Sequence, residues 1–436
     1  MAEIIAILSI LSPHSSPRAL NQLVLVVEAA LAMTARVTMP GLSRRAEKGG
    51  SCRTVQRFFK EKIDWPVLRW QPIKRHLTGS QGVWLAAWGR GHGDQIGQGD
   101  AWAGDFFSSI YNKALPGLCF LSLSLLQVET RESHPLITEQ LVRGEVQASA
   151  PKAAQAKNPK PGRPRGSANK SRKDAELSPF QAQLQGRIRA ALKLAGADLG
   201  IAYFVYDGAL GSNAGLQAVA QTGLRPVSKL RHDSQLYLPY AGAYSGRGRR
   251  RKYGGRLRLE TLSEAHLKTE AMEKNIRTRI YQVQAWHKHF PDLLNIVAIV
   301  KTHLKTGRTA KVLLFSDDLA LSSEAMIEYY SLRFQIEFNF RDAKQYWGLE
   351  DFMNVKAAQV GNFANFSLFM VTFSQLLSAK MEGLDRGSVL DLKTVFRARK
   401  HTRRIINSLG KEGEAFLIDD RIFQAAEIGR IHAKAA

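Results

Sequence analysis

The sequence predicts an α/β fold, because helix and strand patterns alternate in its central part and a long apolar helix follows them. Within residues 179–232 an amphipathic stretch precedes a continuous apolar run that ends at Asp207, and a second helix and a second strand pattern come next. This alternation is typical of sheets whose faces are covered by helices. Ala325–Asp351 contains no Pro and has Gly only near its end, which predicts one long helix. We therefore expect an α/β core with helical regions at both ends of the chain.

Length and charge restrict the functional classes. The chain has 436 residues, enough for two or three domains. Its 62 basic and 38 acidic side chains give a net charge of +24, which predicts a polyanionic partner, with nucleic acid the first choice. An anionic membrane is the rival partner, but the early apolar stretches are short and are interrupted by Glu3 and Glu28. Cys52 and Cys119 suffice for neither a disulfide framework nor a zinc site, so we expect a cytosolic, reduced protein without a membrane partner.

Four polar residues of the long helix share one face. Tyr330, Arg333, Glu337 and Lys344 are offset by 0, 3, 7 and 14 residues, so at about 100° per residue they form one narrow stripe roughly 20 Å long. Aromatic and aliphatic residues occupy much of the remaining surface, which predicts a buried helix. A charged stripe on a buried helix must face a cleft or a charged partner. An ordinary Arg333–Glu337 pair on a solvated face is the alternative, and the flanking aromatics disfavour it.

The spacing Tyr-x2-Arg-x3-Glu-x6-Lys resembles the YREK signature of the insertion-sequence-four family of bacterial DDE transposases, which includes the transposon-five enzyme. The resemblance implies a ribonuclease-H-like core with a β-rich insertion. It also implies that Glu337 is the last of three catalytic, metal-binding acids and that Tyr330, Arg333 and Lys344 contact phosphates of the transposon end. Asp207 matches the second acid, although a lone Asp after a strand is more often a turn or cap residue.

What such an enzyme needs follows from the same resemblance. Two Mg²⁺ ions, with Mn²⁺ as substitute, would be held by Asp and Glu oxygens for cleavage and strand transfer of DNA. The expected partners are the terminal inverted repeats, target DNA and a second copy of the chain in a synaptic complex. We expect the protein in the cytoplasm, associated with the nucleoid. A DNA-binding protein that does not cut, and a nuclease without strand transfer, are the alternatives.

The first acid is the weak point of the resemblance. Residues 85–105 are rich in Gly and lack alternation, so they predict a poor buried strand. Codons can be chosen for them whose +1 frame reads GDEVTVTKSGKATHGL, which resembles the first-Asp segment of the family. We therefore hypothesise a compensated frameshift that removed the first acid and left a chain that binds DNA but cuts poorly. In the shifted frame the Asp codon straddles Gly89 and Arg90.

The alternative is a genuine Gly-rich loop that supplies the first catalytic and metal-binding acid. Asp94 is the nearest candidate and is our substitute for that acid, ahead of Asp100 and Asp105.

Three further basic regions are expected to contact DNA. The first is a short helix capped by Ser51, which turns Val55 and Phe58 inward and suits a helix-turn-helix; an ordinary helical hairpin with a basic surface is equally consistent with the sequence. The second is PGRPRG in the linker, which is either an AT-hook core or a solvated basic tether. The third is a loop with six basic residues between 246 and 256. The DNA-binding candidates are Arg53, Gln56, Arg57, Arg163, Arg165, Arg249, Arg250 and Arg251. Trp286 is expected in the core, with stacking on an extruded base as the alternative.

These regions predict a domain organisation. It comprises a helical DNA-binding domain (1–78), a first core part (79–148), a basic flexible linker (149–178), a second core part (179–232), a β-rich insertion (233–315), core helices (316–385) and a basic helical C-terminus (386–436).

Overall fold

A computed structural model describes most of the chain. The described residues are 2–46, 49–77, 79, 82–93, 104–108, 112–141, 171–244, 246, 248–259, 262–351, 356–381, 384 and 387–408.

Twelve strands within the described residues form one mixed sheet. They are β1 (Trp84–Gly93), β2 (Gly104–Ser108), β3 (Lys113–Gln127), β4 (Glu132–Leu141), β5 (Tyr203–Val205), β6 (Arg225–Leu230), β7 (Leu236–Pro239), β8 (Tyr253–Leu257), β9 (Leu267–Glu273), β10 (Ile276–His287), β11 (Leu293–His303) and β12 (Thr309–Ser316).

Eleven longer helices are described with the sheet. They are α1 (Ala2–Leu8), α2 (Pro17–Leu31), α3 (Met39–Arg45), α4 (Cys52–Phe58), α5 (Trp65–Leu77), α6 (Pro179–Ala191), α7 (Asn213–Ala220), α8 (Ser323–Leu332), α9 (Gln335–Trp347), α10 (Ala357–Lys380) and α11 (Val389–Ser408).

The strand order confirms the predicted fold class. Across one half of the sheet the order is β4-β3-β1-β5-β6. β1, β3 and β4 pair antiparallel, whereas β1, β5 and β6 pair parallel. This is the arrangement of a ribonuclease-H-like core. β12 joins it antiparallel to β6 and leads into the β-rich remainder of the sheet. Helices lie at both ends of the chain, as the sequence predicts.

β1 forms a regular strand, so the prediction of a poor strand over residues 85–105 was wrong for residues 85–93, whereas residues 94–103 lie outside the described residues. All ten of its residues pair with β3. Its glycines are compatible with burial because α9 lies directly against them. A Cβ on Gly89 would approach Ile336 Cγ2 to 2.7 Å, and a Cβ on Gly91 would overlap the Phe340 ring. Pairing with β3 and close helix packing therefore offset the low strand propensity of Gly.

The predicted single long helix is in fact two helices, α8 and α9. At the junction the backbone bonds shorten to three residues: Arg333 N donates to Tyr330 O at 3.3 Å, and Phe334 N donates to Ser331 O at 3.2 Å. Both junction residues keep right-handed helical dihedrals. One tight turn therefore interrupts the α-helical ladder without reversing the chain.

The N-terminal helices share one hydrophobic cluster with α9 and α10. Trp65 Nε1 donates to Asn362 Oδ1 at 2.9 Å. Phe59 stacks at a tilt on Phe363, with ring centroids 4.9 Å apart. Arg69 is fully buried, and its Nη2 donates to the Asn365 carbonyl at 2.7 Å. The role of residues 1–78 as a separate DNA-binding domain stays a prediction, but the helices themselves are packed firmly on the core.

No helix in the described part of the chain is both long enough and apolar enough to span a bilayer.

Candidate functional site

Asp207 lies just beyond the carboxyl end of β5, where the sequence places it. It caps the turn at Gly208–Leu210 by accepting a hydrogen bond from Ala209 N at 3.1 Å on Oδ1. Ser228 of β6 donates through Oγ to the Asp207 carbonyl at 3.1 Å. The backbone is thus tied to the neighbouring strand while the half-buried carboxylate faces the end of the sheet.

Arg333 and Glu337 form an ion pair across the α8–α9 junction, which is the i, i+4 contact that the sequence offered as the disfavoured alternative. Arg333 Nη2 donates to Glu337 Oε1 at 3.0 Å. The Arg333 side chain is 18% exposed and that of Glu337 is 43% exposed. Arg333 Nε is buried and has no hydrogen-bond partner in the described protein. A mostly buried guanidinium with an unused donor differs from a pair on a solvated face.

Tyr330 connects this pair to Asp207. Burial raises the pKa of Tyr330, the nearby Arg333 lowers it, and the carboxylates of Asp207 and Glu337 raise it. Both acids must therefore lie near the Tyr330 ring, although they come from β5 and α9. Tyr330, Arg333, Glu337 and Asp207 are hereafter called the carboxyl-edge cluster.

The chain matches the family described as "DDE superfamily endonuclease" over residues 12–290, which is more than half of its length. It belongs to that family. The matched range includes β1, β5 and Asp207 and ends before Glu337. Among curated proteins none is similar enough to count as a match. A DDE superfamily endonuclease is a nuclease of the transposase type and acts on DNA.

Endonucleases of this superfamily generally use divalent metal ions. The carboxyl-edge cluster supplies two carboxylates that could bind such an ion. One Glu337 oxygen is paired with Arg333, and one Asp207 oxygen caps a turn. β1, whose sequence is WLAAWGRGHG, contains no acid. The described residues contain no group of three Asp, Glu, His or Cys side chains that could hold a metal. This donor set does not fit a two-metal site.

Lys344, the fourth residue of the stripe, lies in the last turn of α9, seven residues after Glu337. Its Nζ is 2.6 Å from Glu350 Oε1. It borders a cavity of about 530 Å³ between α9, α11 and the segment after α2, which Arg36 and Lys393 also line. Burial lowers the pKa of Lys393 to about 8. Asp351 also lines the cavity and pairs with Arg36 at 3.2 Å, so whether Lys344 contacts a phosphate stays a prediction.

The other predicted DNA contacts lie on separate surfaces. α4 is capped by Ser51, buries Val55 and exposes Arg53, Gln56 and Arg57, as predicted. Arg249, Arg250 and Arg251 are exposed before β8, with the Arg251 guanidinium 4.9 Å from the Tyr240 ring centroid. Whether these residues contact DNA stays a prediction. Asp94, Arg163 and Arg165 lie outside the described residues.

Trp286 is half-buried in β10. Lys252 Nζ lies 3.5 Å from its ring centroid, and Tyr253 packs edge-on with centroids 6.5 Å apart. One face of the indole is therefore already in contact with a cation.

Sequence reasoning missed a second acidic cluster at the opposite end of β5. Tyr203 Oη donates to Asp318 Oδ2 at 2.6 Å. Arg225 Nη1 lies 3.9 Å from Asp317 Oδ1. Burial raises the pKa of Asp317 to about 6. These four residues are hereafter called the amino-edge cluster. Two consecutive acids, Asp317 and Asp318, directly follow the apolar run of β12. By the same pattern that indicated Asp207, they could have indicated this cluster from the sequence.

Proposed function

We propose that the chain is a transposase of the insertion-sequence-four type, which binds the terminal inverted repeats of its element at the carboxyl-edge cluster. The observation that carries the proposal is the convergence of Tyr330, Arg333 and Glu337 with Asp207 at one edge of a ribonuclease-H-like sheet. Membership of the DDE endonuclease family supports DNA as the substrate. The spacing of Tyr330, Arg333 and Glu337 supports the assignment to the insertion-sequence-four type.

Arg333 is the residue best placed to hold the DNA backbone. Its guanidinium is oriented by Glu337 and retains an unpartnered Nε. A planar guanidinium donates two parallel hydrogen bonds to a phosphate, and fixing it in advance reduces the entropy lost on binding. Tyr330 adds a hydroxyl at the same edge. The +24 net charge and the exposed arginines of α4 and of the loop before β8 would strengthen binding along the duplex.

Cleavage and strand transfer are the reactions that this assignment implies. The proposed dependence on two Mg²⁺ ions, or on Mn²⁺, requires a third carboxylate beyond Asp207 and Glu337. Asp94 is the candidate from the sequence and lies outside the described residues. The proposed homodimeric synaptic complex and cytoplasmic, nucleoid-associated location are consistent with the same function.

One observation favours a second function: β1 has no acid. A chain with two of three acids would bind transposon ends without cutting them. Such a protein would act as a DNA-binding competitor of intact transposases.

DNA from the two flanks of the gene tests the proposal. Inverted repeats found there are labelled, and binding is measured against scrambled duplexes of the same length. Cleavage and strand transfer are then measured in Mg²⁺, in Mn²⁺ and in EDTA. A cutting transposase would bind the repeats, cleave only with metal, and lose cleavage but not binding in Glu337→Gln.

The other outcomes are equally specific. Repeat-specific binding without cleavage would establish the second function, and cleavage without joining would indicate a nuclease. Equal affinity for repeats and scrambled duplexes would refute end recognition altogether.

A further inference from the structure

The pairing of β1 with β5 locates the position of the missing acid. Ala86 pairs with Phe204 and Ala87 with Val205 in parallel register. Continuing that register by two residues brings Gly89 level with Asp207. We propose that Gly89 occupies the place of the third carboxylate, so that the metal site of this chain is incomplete at one backbone position and an Asp there completes it. The inference deepens the proposed function, on which it rests for the identity of the site.

The alternation of β1 shows which way a side chain at position 89 would point. Leu85 and Ala87 belong to the hydrophobic cluster that contains α9. Ala86 and Trp88 belong to the cluster on the other face of the sheet. Because strand side chains alternate, residue 89 points to the α9 face.

Direct geometry agrees with this alternation. A Cβ built on Gly89 lies 2.7 Å from Ile336 Cγ2, and Ile336 directly precedes Glu337. A carboxylate on residue 89 would therefore enter the layer between β1 and α9. Asp207 follows the adjacent strand, and Glu337 directly follows Ile336, the residue that position 89 contacts.

Arg90, the other residue at the predicted shifted codon, points the opposite way. Its positive charge acts on the Cys119 thiol, which belongs to the cluster on the far face. Its directly paired neighbour on β3, Leu121, belongs to the same cluster. The structure thus separates two neighbours that the sequence could not, and it selects Gly89.

An Asp at position 89 needs a second substitution, because Ile336 occupies the space beside Gly89. The Ile336 methyl is attached directly to Cβ and cannot swing aside as the end of a flexible chain would. An Asp at position 89 therefore requires space, which Ile336→Ala provides by removing the branched carbons. Asp and Asn have the same size, so Gly89→Asn with Ile336→Ala is a matched control that lacks only the charge.

Metal binding by the full-length chain tests the proposal without relying on activity. Mn²⁺ affinity is measured by calorimetry and by the loss of the free-ion electron paramagnetic resonance signal, for four proteins. These are the unmodified chain, G89D/I336A, G89N/I336A and Arg90→Asp. Thermal melts without metal establish that each variant is folded.

We expect G89D/I336A to bind Mn²⁺ at least tenfold more tightly than G89N/I336A, because a third hard oxygen donor joins Asp207 and Glu337. Adding Glu337→Gln should abolish that gain. Equal affinities in the matched pair would overturn the proposal, as would tighter binding by Arg90→Asp. Tight Mn²⁺ binding by the unmodified chain that Asp94→Asn removes would also overturn it.

Binding to the inverted repeats is measured on the same four proteins. If none prefers the repeats yet G89D/I336A gains metal affinity, end recognition fails while the inference stands. If repeats are bound and metal affinity does not change, the inference alone fails.

Discussion

The clusters at the two ends of β5 contain similar residues but differ in hydrogen bonding and exposure. The carboxyl-edge cluster combines a Tyr, an Arg and two acids, and so does the amino-edge cluster. At the amino edge Asp318 is bonded on several sides: Tyr203 donates to its carboxylate, and Asn295 Nδ2 donates to its carbonyl at 2.9 Å, whereas Asp317 Oδ1 is buried without a hydrogen-bond partner among the described residues. At the carboxyl edge Arg333 retains a free Nε, and Glu337 is the more exposed partner.

The difference separates groups that stabilise the fold from groups available to a ligand. Asp318 Oδ1 also accepts from Ala320 N, so this acid shapes the turn that leads from β12 to α8. Burial alone would raise the pKa of Asp318. The hydrogen bonds from Tyr203 and from Ala320 N outweigh burial and lower that pKa. Asp207 makes a single turn-capping bond. Residue type alone therefore does not identify a functional cluster, and neither does a single unmet hydrogen bond, because Arg333 Nε and Asp317 Oδ1 both lack a hydrogen-bond partner in the described part of the chain.

The largest expected effect is on stability at the amino edge. Asp318→Ala removes the acceptor of Tyr203 and the cap of Ala320, so it should lower the free energy of unfolding by about 2–3 kcal/mol. Asp207→Ala, the matched change, should cost less than about 1 kcal/mol because it removes one cap bond. Urea denaturation measures both. Equal losses would show that the two edges do not differ in this way.

The next effect is on DNA affinity. Arg333→Ala should weaken binding to the inverted repeats about tenfold and reduce the slope of log affinity against log salt by about 1. Lys344→Ala should act in the same direction. Arg225→Ala at the amino edge is the control and should change neither quantity. Fluorescence anisotropy across a salt series provides the measurement; unchanged slopes for Arg333 and Lys344 would place the DNA elsewhere.

The pH dependence of stability should isolate Asp317. Its folded pKa of about 6 exceeds the ordinary aspartate pKa of 3.8, so the native state binds the extra proton between these values. Its contribution to stability is therefore present at low pH and is lost as pH rises through about 6. Asp317→Asn should raise the free energy of unfolding at pH 7 by about 1 kcal/mol and remove this slope.

Thermal melts of the two proteins between pH 4 and 7 test this prediction. His134 and His287 have pKa values lowered to about 4 by burial and change stability in the opposite sense in both proteins. Only the difference between the proteins is informative. A constant difference at every pH would mean that Asp317 does not titrate in this range.

The smallest effect concerns the charge of the cluster itself. Glu337→Gln removes a negative charge beside the bound phosphate and keeps the shape of the side chain. We expect affinity for the repeats in EDTA to rise about two- to threefold at low salt, which is the scale of one exposed charge. Glu324→Gln at the start of α8 should have no effect. Weaker binding by Glu337→Gln would indicate that its carboxylate is needed mainly to orient Arg333.

Much of this molecule follows from its sequence. A continuous apolar run predicted β5, and the helix and strand patterns after it predicted α7 and β6, because backbone pairing and burial impose a local pattern. The i, i+4 spacing of Arg333 and Glu337 made their contact the alternative to a ligand-facing stripe, and the structure contains that contact. The charge balance predicted an anionic partner, and DNA endonuclease membership supports that prediction.

Tertiary structure decided the rest. The Gly-rich β1 has no strand pattern of its own and is ordered by β3, β5 and α9, which no local window contains. The bonding of Asp318 depends on Tyr203 and Asn295, which are far away in the chain. The proximity of Asp207 and Glu337 to Tyr330 and the orientation of Gly89 likewise depend on sheet register. Sequence periodicity reports which side of an element is buried, whereas strand order and helix docking determine which residues meet there.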